Sequence, residues 1–291
     1  MTSYELTNDQ RKYFGLDPIE HDWDRVIFKG DFYRPESILY YYKDTIKRQI
    51  VSTEKEYSET HYNELTRDRA ILLPKTGKGK EKKLSASVLE QRQPKGVYLI
   101  IINGHLTIGN YHSQTTFYST YWHNKPQAEK TIADIVNDYI ANSPEDHFIE
   151  IEKYKNSKRQ NNKFKSGDYF CFKLDRTNFG FGRLLLDVNK IRKQKLINGF
   201  HGLKLLMGPP LLIELFAFCS ATKEVGIEEL DRQPKLPSDV MMDNLLFYGE
   251  FEIIGHREIK DDEFDFPISY GRSLDQSVLD PVLLENIRKT V

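Results

Sequence analysis

The chain has 291 residues, and its 42 Lys and Arg residues against 43 Asp and Glu residues give a formal net charge of −1. That balance excludes the uniform basicity of a nucleic-acid coat protein, and a hydrophobic fraction of 39% excludes global disorder. At roughly 100–200 residues per domain, the length favours two domains, each able to bury a core.

Membrane-spanning and secretory segments are not predicted. The longest apolar run, 211–219, is about half the length that a membrane-spanning helix needs. Residues 1–10 are polar and lack the basic and apolar parts of a secretory signal. The two cysteines, Cys171 and Cys219, lie in apolar strand-like segments and are interpreted as inert structural thiols. These features predict a reduced, cytoplasmic protein.

The first long element is predicted to be a helix over 36–69. Pro35 suits the first turn of a helix, and the region that follows contains neither Gly nor Pro. Its apolar residues and one histidine recur at helical spacing: Ile38, Leu39, Tyr42, Ile46, Ile50, Tyr57, His61 and Leu65. One face of this helix is therefore expected to be apolar and the other charged.

A β-hairpin is predicted over 97–111. Residues 97–102 form an apolar run, Asn103 and Gly104 form a two-residue turn, and 105–111 form the returning strand. A helix is predicted to follow over 126–141, and a short strand over 148–151.

The basic, polar stretch 153–165 is predicted to link two domains. Beyond it, short β-like segments alternate with glycines, which predicts few helices, one of them near 197–206. We therefore predict an α+β fold in three parts. They are an N-terminal helical and hairpin domain of unassigned role over 1–152, the linker over 153–165, and a β-rich, mainly antiparallel domain over 166–291.

Charge is unevenly distributed in the second half of the chain. Residues 153–204 contain 14 basic and 3 acidic residues, whereas 205–291 contain 8 basic and 17 acidic residues. Opposite charges in the two stretches either neutralise each other or form separate surfaces that steer a charged partner. The acidic run suits a basic protein partner, with a solvated loop as the alternative; its candidate binding residues are Glu258, Asp261, Asp262, Glu263, Phe264 and Asp265.

No catalytic, metal or cofactor site is predicted. The eight histidines form no HxH, HExxH or HxxxH pattern, and His21 in the acidic stretch 20–24 fits a polar loop. The sequence also lacks a GxSxG nucleophile motif. Nucleic-acid binding through 153–204 stays open, because Tyr154, Phe164 and Tyr169 could stack on bases, but no RNP, KH or zinc-knuckle pattern accompanies them.

Two glycines in one predicted strand call for a close neighbour. Gly180 and Gly182 are two residues apart, so their hydrogens face the same side of the strand. Glycine weakens a strand and packs no side chain, so we expect another backbone or an aromatic ring to approach closely there.

The segment around these glycines resembles the start of the immunity protein 26 family of bacterial polymorphic-toxin systems, whose pattern is GD.F.iPL.dg.yGfGRv. The residues that fall on this pattern are Gly167, Asp168, Phe170, Leu174, Phe179, Gly180, Gly182 and Arg183. Phe172 and Lys173 stand where the family tends to have Ile-Pro. The segments LLIELFAF and FYGEFEIIGHREI resemble later strands of the family, so the resemblance covers about 163–272.

The resemblance implies a cytoplasmic immunity protein that binds a cognate toxin and neutralises it by occlusion, without catalysis and without a cofactor. The motif residues are then expected to be structural, and the acidic segment is the predicted toxin-facing surface. A phosphotriesterase label also attached to the family keeps a metal-dependent hydrolase as an alternative. Nucleic-acid binding is the second alternative.

Overall fold

The computed structural model describes residues 4–123, 126–197, 202–260 and 263. The chain forms two compact units, Met1–Arg159 and Gln160–Val291. Each unit is built on an antiparallel β-sheet, and its helices are short. The α+β class is therefore confirmed, with mostly antiparallel sheets and few helices.

The first unit is built on strands that pair in chain order. They are β1 (Asp24–Phe28), β2 (Ser37–Tyr42), β3 (Thr45–Ser52), β4 (Glu56–Arg67), β5 (Ile71–Leu72), β6 (Lys82–Lys83), β7 (Lys95–Ile102), β8 (His105–Asn110) and β9 (Thr115–Ser119). The main sheet runs β1-β2-β3-β4-β7-β8-β9, while β5 pairs with β4 and β6 pairs with β5.

The predicted helix over 36–69 is wrong, because this region forms β2, β3 and β4. Within β3, the buried residues Ile46, Arg48 and Ile50 alternate with more exposed ones, which is the period of a strand. A separation of four residues fits both periods, so Ile46 and Ile50 alone do not distinguish them. The β2–β3 turn contains neither Gly nor Pro. Lys43 takes the positive φ of 55° that this turn requires, so no turn residue marks it in the sequence.

The β7–β8 hairpin is confirmed in register. Asn103 and Gly104 have positive φ angles of 50° and 79°, as a two-residue turn between twisted strands requires. The first-unit helices are α1 (Asn8–Tyr13), α2 (Ala86–Glu90), α3 (Ile132–Ala141) and α4 (His147–Lys155).

Two helices correct the prediction for the end of the first unit. Helix α3 begins at Ile132 rather than near 126, because the Thr131 side chain caps its first turn. The predicted strand over 148–151 lies within α4, where Ile151 is buried and Ile149 is exposed. Four residues are too few to separate the helical period from the strand period.

The sheet of the first unit is covered on both faces. On one face, residues from α3 and α4 share a core with the strands: Ile135, Val136, Tyr139, Ile151, Ile50, Tyr57, Leu99 and Ile101. On the other face, Leu89 of α2 packs with Leu39, Tyr41 and Ile46. The alternation of Ile38 and Tyr40 with Leu39 and Tyr41 along β2 serves these two cores.

The second unit contains a five-stranded antiparallel sheet in the order β13-β12-β11-β10-β14. Its strands are β10 (Asp168–Lys173), β11 (Phe179–Asp187), β12 (Pro210–Ser220), β13 (Asp239–Met242) and β14 (Glu252–His256). Its helices are α5 (Val188–Lys193), α6 (Gly202–Leu205), α7 (Ile227–Leu230) and α8 (Asn244–Phe247). The β-rich, antiparallel character predicted for this region is confirmed. The predicted contrast with a helical N-terminal region is wrong, because both units are built on a β-sheet.

Candidate functional site

The family-like motif begins with a tight turn against the end of β14. Gly167 has a φ of 93°, and a Cβ there would lie 2.3 Å from the carbonyl oxygen of Arg257. The Asp168 carboxylate accepts the amide of Lys165 at 2.8 Å, and its other oxygen lies 2.8 Å from Nδ1 of His256. Glycine and aspartate at these positions therefore join the start of β10 to the end of β14.

The expectation of a close neighbour at the two strand glycines is confirmed. Gly180 and Gly182 stand opposite Phe172 and Phe170 in the β10–β11 pair. A Cβ on Gly182 would lie 2.5 Å from the Phe170 ring, and one on Gly180 would lie 2.7 Å from the Phe172 ring. Each glycine thus makes room for the ring of the residue paired with it, as glycines in strands do where another group approaches closely.

Arg183, on the same strand, holds the segment that follows β14. Its side chain is fully buried and its guanidinium lies 4.9 Å from the centre of the Tyr169 ring. Nη2 donates to the carbonyl oxygens of Arg257 and Glu258 at 2.9 and 3.1 Å, and Nη1 donates to Oε1 of Glu263 at 2.9 Å. One buried guanidinium therefore fixes both the backbone and a side chain of this segment.

A second arginine completes the network. Arg257 donates to Asp231 from Nε at 2.9 Å and to Glu263 from Nη2 at 2.5 Å. The Tyr169 hydroxyl donates to the same Asp231 at 2.5 Å. Two arginines and two carboxylates thus balance in charge, and burial together with the Asp231 bond raises the pKa of Tyr169 well above its usual range.

Glu263 is the central acceptor of this network. Burial raises its pKa, but the hydrogen bonds from Arg257, the Lys260 amide and Arg183 outweigh that effect and lower the pKa to about 2. Glu263 is therefore ionised at neutral pH, and both of its carboxylate oxygens accept hydrogen bonds within the chain.

The predicted toxin-binding residues fall into three groups. The Glu258 side chain is exposed and forms no ion pair with the described part of the chain. Glu263 is largely buried and ion-paired. The remaining four lie outside the described residues: Asp261, Asp262, Phe264 and Asp265.

The basic stretch and the cysteines complete the set of sequence candidates. Lys158, Lys163 and Lys165 are exposed in irregular chain, as a basic surface would require. Cys171 is buried, and burial followed by the charge of Glu252 raises the pKa of its thiol to about 11. Cys219 is exposed and free. The Cys171 thiol therefore stays protonated at neutral pH, which fits the interpretation of an inert core cysteine.

Sequence reasoning identified Arg183, and it named Glu258 and Glu263 as toxin-binding candidates, but it missed two other members of the network. Asp231 and Arg257 lie 62 and 88 residues away from Tyr169, with which both form hydrogen bonds. No local spacing connects residues so far apart, and each is an ordinary charged residue in its own neighbourhood. Predicting that Asp231 and Arg257 belong to the network would have required knowing how β10, β11 and β14 pair.

Within the described ranges, no group of three or more His, Cys, Asp or Glu side chains could hold a metal ion. In the same residues, no helix is both long enough and apolar enough to cross a membrane.

Comparison with known proteins concerns the second unit. No curated protein and no solved structure matches the chain at a significant level. Residues 165–277 match the family model of immunity protein 26, which confirms the resemblance indicated by the strand glycines and by Arg183.

Proposed function

We propose that this chain is an immunity protein that binds a cognate bacterial toxin and neutralises it by occlusion, without catalysis and in the cytoplasm. The observation that carries the proposal is the match of residues 165–277 to immunity protein 26. The proposed partner is the toxin of a polymorphic-toxin system, and residues 1–152 have no assigned role in binding it.

The proposed toxin-facing surface is the acidic segment 258–265. The Arg183 network supports this proposal, because it holds Arg257, Glu258 and Glu263 before binding, and groups ordered in advance lose less conformational entropy on association. Of these residues, Glu263 is ion-paired with Arg183 and Arg257, and Glu258 offers an exposed carboxylate. The acidic side chains would then attract a basic toxin surface and accelerate association.

Charge reversal of Asp261 and Asp262 to Lys tests the surface without touching the Glu263 anchor. We expect the association rate with the toxin to fall about tenfold or more at low salt, with a smaller change in the dissociation rate. The matched control is reversal of Glu228 and Glu229, two exposed acidic residues on α7. Equal association rates for the wild type and the 261/262 variant would show that the acidic segment does not face the toxin.

The basic stretch is the competing surface, and it has its own test. Neutralising Lys158, Lys163 and Lys165 should leave toxin binding unchanged if the acidic segment faces the partner. A loss of binding in that variant instead would assign the interface to the basic stretch. Salt-sensitive retention of RNA or DNA, lost in the same variant, would support the nucleic-acid alternative.

A further inference from the structure

The core of the first unit contains a charged cluster that the proposed function does not use. Arg11 Nε and Arg48 Nη1 donate to the same oxygen, Oε1 of Glu59, at 2.8 and 2.7 Å. The Tyr57 hydroxyl donates to the other oxygen of Glu59 at 2.6 Å. The Arg48 and Glu59 side chains are 1% and 0% exposed, so the cluster lies away from bulk water.

One edge of the Arg48 guanidinium is unsatisfied. Its Nε and Nη2 atoms are buried and have no hydrogen-bond partner among the described residues, and the same holds for Nη2 of Arg11. Nε and Nη2 form the side of the guanidinium that binds two-oxygen anions in a bidentate manner. Buried donors without an acceptor are rare in native proteins because each lost hydrogen bond is destabilising.

The cluster also has an excess of positive charge. Arg11 and Arg48 together carry two positive charges, while Glu59 supplies one negative charge. The Asp17 carboxylate interacts electrostatically with Arg48, but it is already paired with Lys155 at 2.6 Å. One buried positive charge is therefore left without a counter-ion in this part of the chain, and an uncompensated buried charge is strongly unfavourable.

His61 is the histidine paired with Arg48 across the sheet, and it supplies no negative charge to the cluster. It stands opposite Arg48 in the β3–β4 pair, and its buried Nδ1 has no partner among the described residues. Burial, followed by the charge of Arg48, lowers the pKa of His61 to about 4, although Asp17 acts in the opposite direction. The imidazole is therefore neutral at physiological pH and adds no charge to the cluster.

We propose that the first unit binds a small monovalent anion, such as a halide or formate, on the Nε–Nη2 edge of Arg48. Such an ion would accept hydrogen bonds from Nε and Nη2 of Arg48, and its negative charge would balance the excess positive charge of the cluster. A buried water could accept hydrogen bonds there, but it would leave the charge unbalanced. The burial of the donors restricts the ligand to small ions.

Thermal unfolding of the full chain in different sodium salts tests the proposal. At equal ionic strength, bromide or formate should raise the melting temperature above its value in gluconate, which is too large to be buried, by at least about 2 °C and in a saturable manner. Arg48→Lys keeps the positive charge for Glu59 but removes the bidentate edge, so this variant should lose the anion-specific shift. Arg34→Lys, which alters an exposed ion pair, should retain it.

A crystal grown in sodium bromide supplies an independent measurement on the unmodified chain, so the test survives if Arg48→Lys fails to fold. The proposal expects an anomalous peak within hydrogen-bond distance of Arg48 Nε and Nη2. A shift with formate but no bromide peak would assign the site to planar oxyanions. Equal melting temperatures in all three salts, together with ordinary water density at the edge, would overturn the proposal.

Discussion

Both units place two arginines on one glutamate oxygen, but they complete the arrangement differently. In the second unit, the partner arginines of Glu263 also bind Asp231 and two backbone carbonyls, so the charges balance. In the first unit, the arginines that share Glu59 leave one positive charge without a counter-ion and three buried donor atoms without a partner among the described residues, whereas the Glu263 arginines leave one such donor, Arg183 Nε. Two clusters that share the contact of two arginines with one glutamate oxygen therefore have different roles. The second fixes a chain segment, and the first retains capacity for a ligand.

The difference also follows the position of each cluster in its sheet. Glu59 lies within β4, in a sheet covered on both faces. Glu263 lies in the segment that follows the last described strand, where its side chain is 14% exposed. Water can compensate part of a charge imbalance around Glu263 but little of one around Glu59.

Glu59→Gln is expected to have the largest effect on stability. Removing the single negative charge leaves two buried guanidinium groups without compensation, which should lower the free energy of unfolding by about 3–5 kcal/mol. Urea denaturation at neutral pH measures this loss, with the exposed Glu54→Gln as the control. A loss below about 1 kcal/mol would mean that solvent or other charges already compensate the cluster.

Glu263→Gln should have a smaller, pH-dependent effect. The bonds from Arg183 and Arg257 are charge-assisted, so the variant should lose about 1.5–3 kcal/mol at pH 7. Because the folded pKa of Glu263 is lowered to about 2, its stabilisation is complete above the unfolded pKa of about 4.3 and is lost as the pH falls towards 2.

Urea unfolding of the wild type and of Glu263→Gln at pH 7, 4 and 3 measures this dependence. The difference between the two proteins should shrink through that series. Glu258→Gln, which changes an exposed carboxylate of the same segment, serves as the control. A difference that stays constant with pH would contradict the assigned role of the Glu263 carboxylate.

Gly182→Ala tests the strand that carries Arg183. The new methyl group would lie 2.5 Å from the Phe170 ring and 2.8 Å from the Glu214 carbonyl oxygen, so the strand pair must shift. We expect a loss of about 1–3 kcal/mol. Gly77→Ala, where nothing lies within 4 Å of the added Cβ, should be nearly neutral, and equal melting temperatures for both variants would refute the packing argument.

His61→Gln should have the smallest effect on the free energy of unfolding. Unlike the other variants, it should be more stable than the wild type at low pH. The folded pKa of about 4 lies below the unfolded value of about 6.5, so the wild type loses stability as the pH falls through this window. The variant should escape about 1–2 kcal/mol of that loss. Chemical denaturation between pH 7 and 4 detects it, and the exposed His112→Gln should track the wild type instead.

The second unit was the more predictable of the two from sequence. Its three central strands are nearly continuous buried segments, and the paired spacing of Gly180 and Gly182 predicted a close neighbour, which the Phe170 and Phe172 rings provide. Arg183 was identified through the same motif. Its contacts with Arg257 and Glu263 depend on strand order, which no local pattern contains.

The first unit was less predictable because its signals are ambiguous. The β2–β3 turn has Lys43 at positive φ instead of glycine, and Ile46 and Ile50 fit the helical and the strand periods alike. Arg48, the residue that separates the two periods, is a charged residue at a fully buried position. Charged residues are ordinarily assigned to the surface, so neither the strand period of β3 nor the buried cluster could be predicted from the sequence.

The function proposed for this chain is the neutralisation of a toxin by binding. The most direct measurement is capture of the partner with the tagged full chain from the organism that encodes it, followed by expression of the captured protein in a sensitive host with and without the chain. The account predicts a partner bound at equal stoichiometry that stops growth alone and is harmless when the chain is present. A captured protein that is harmless by itself, or whose toxicity the chain does not change, would contradict the account.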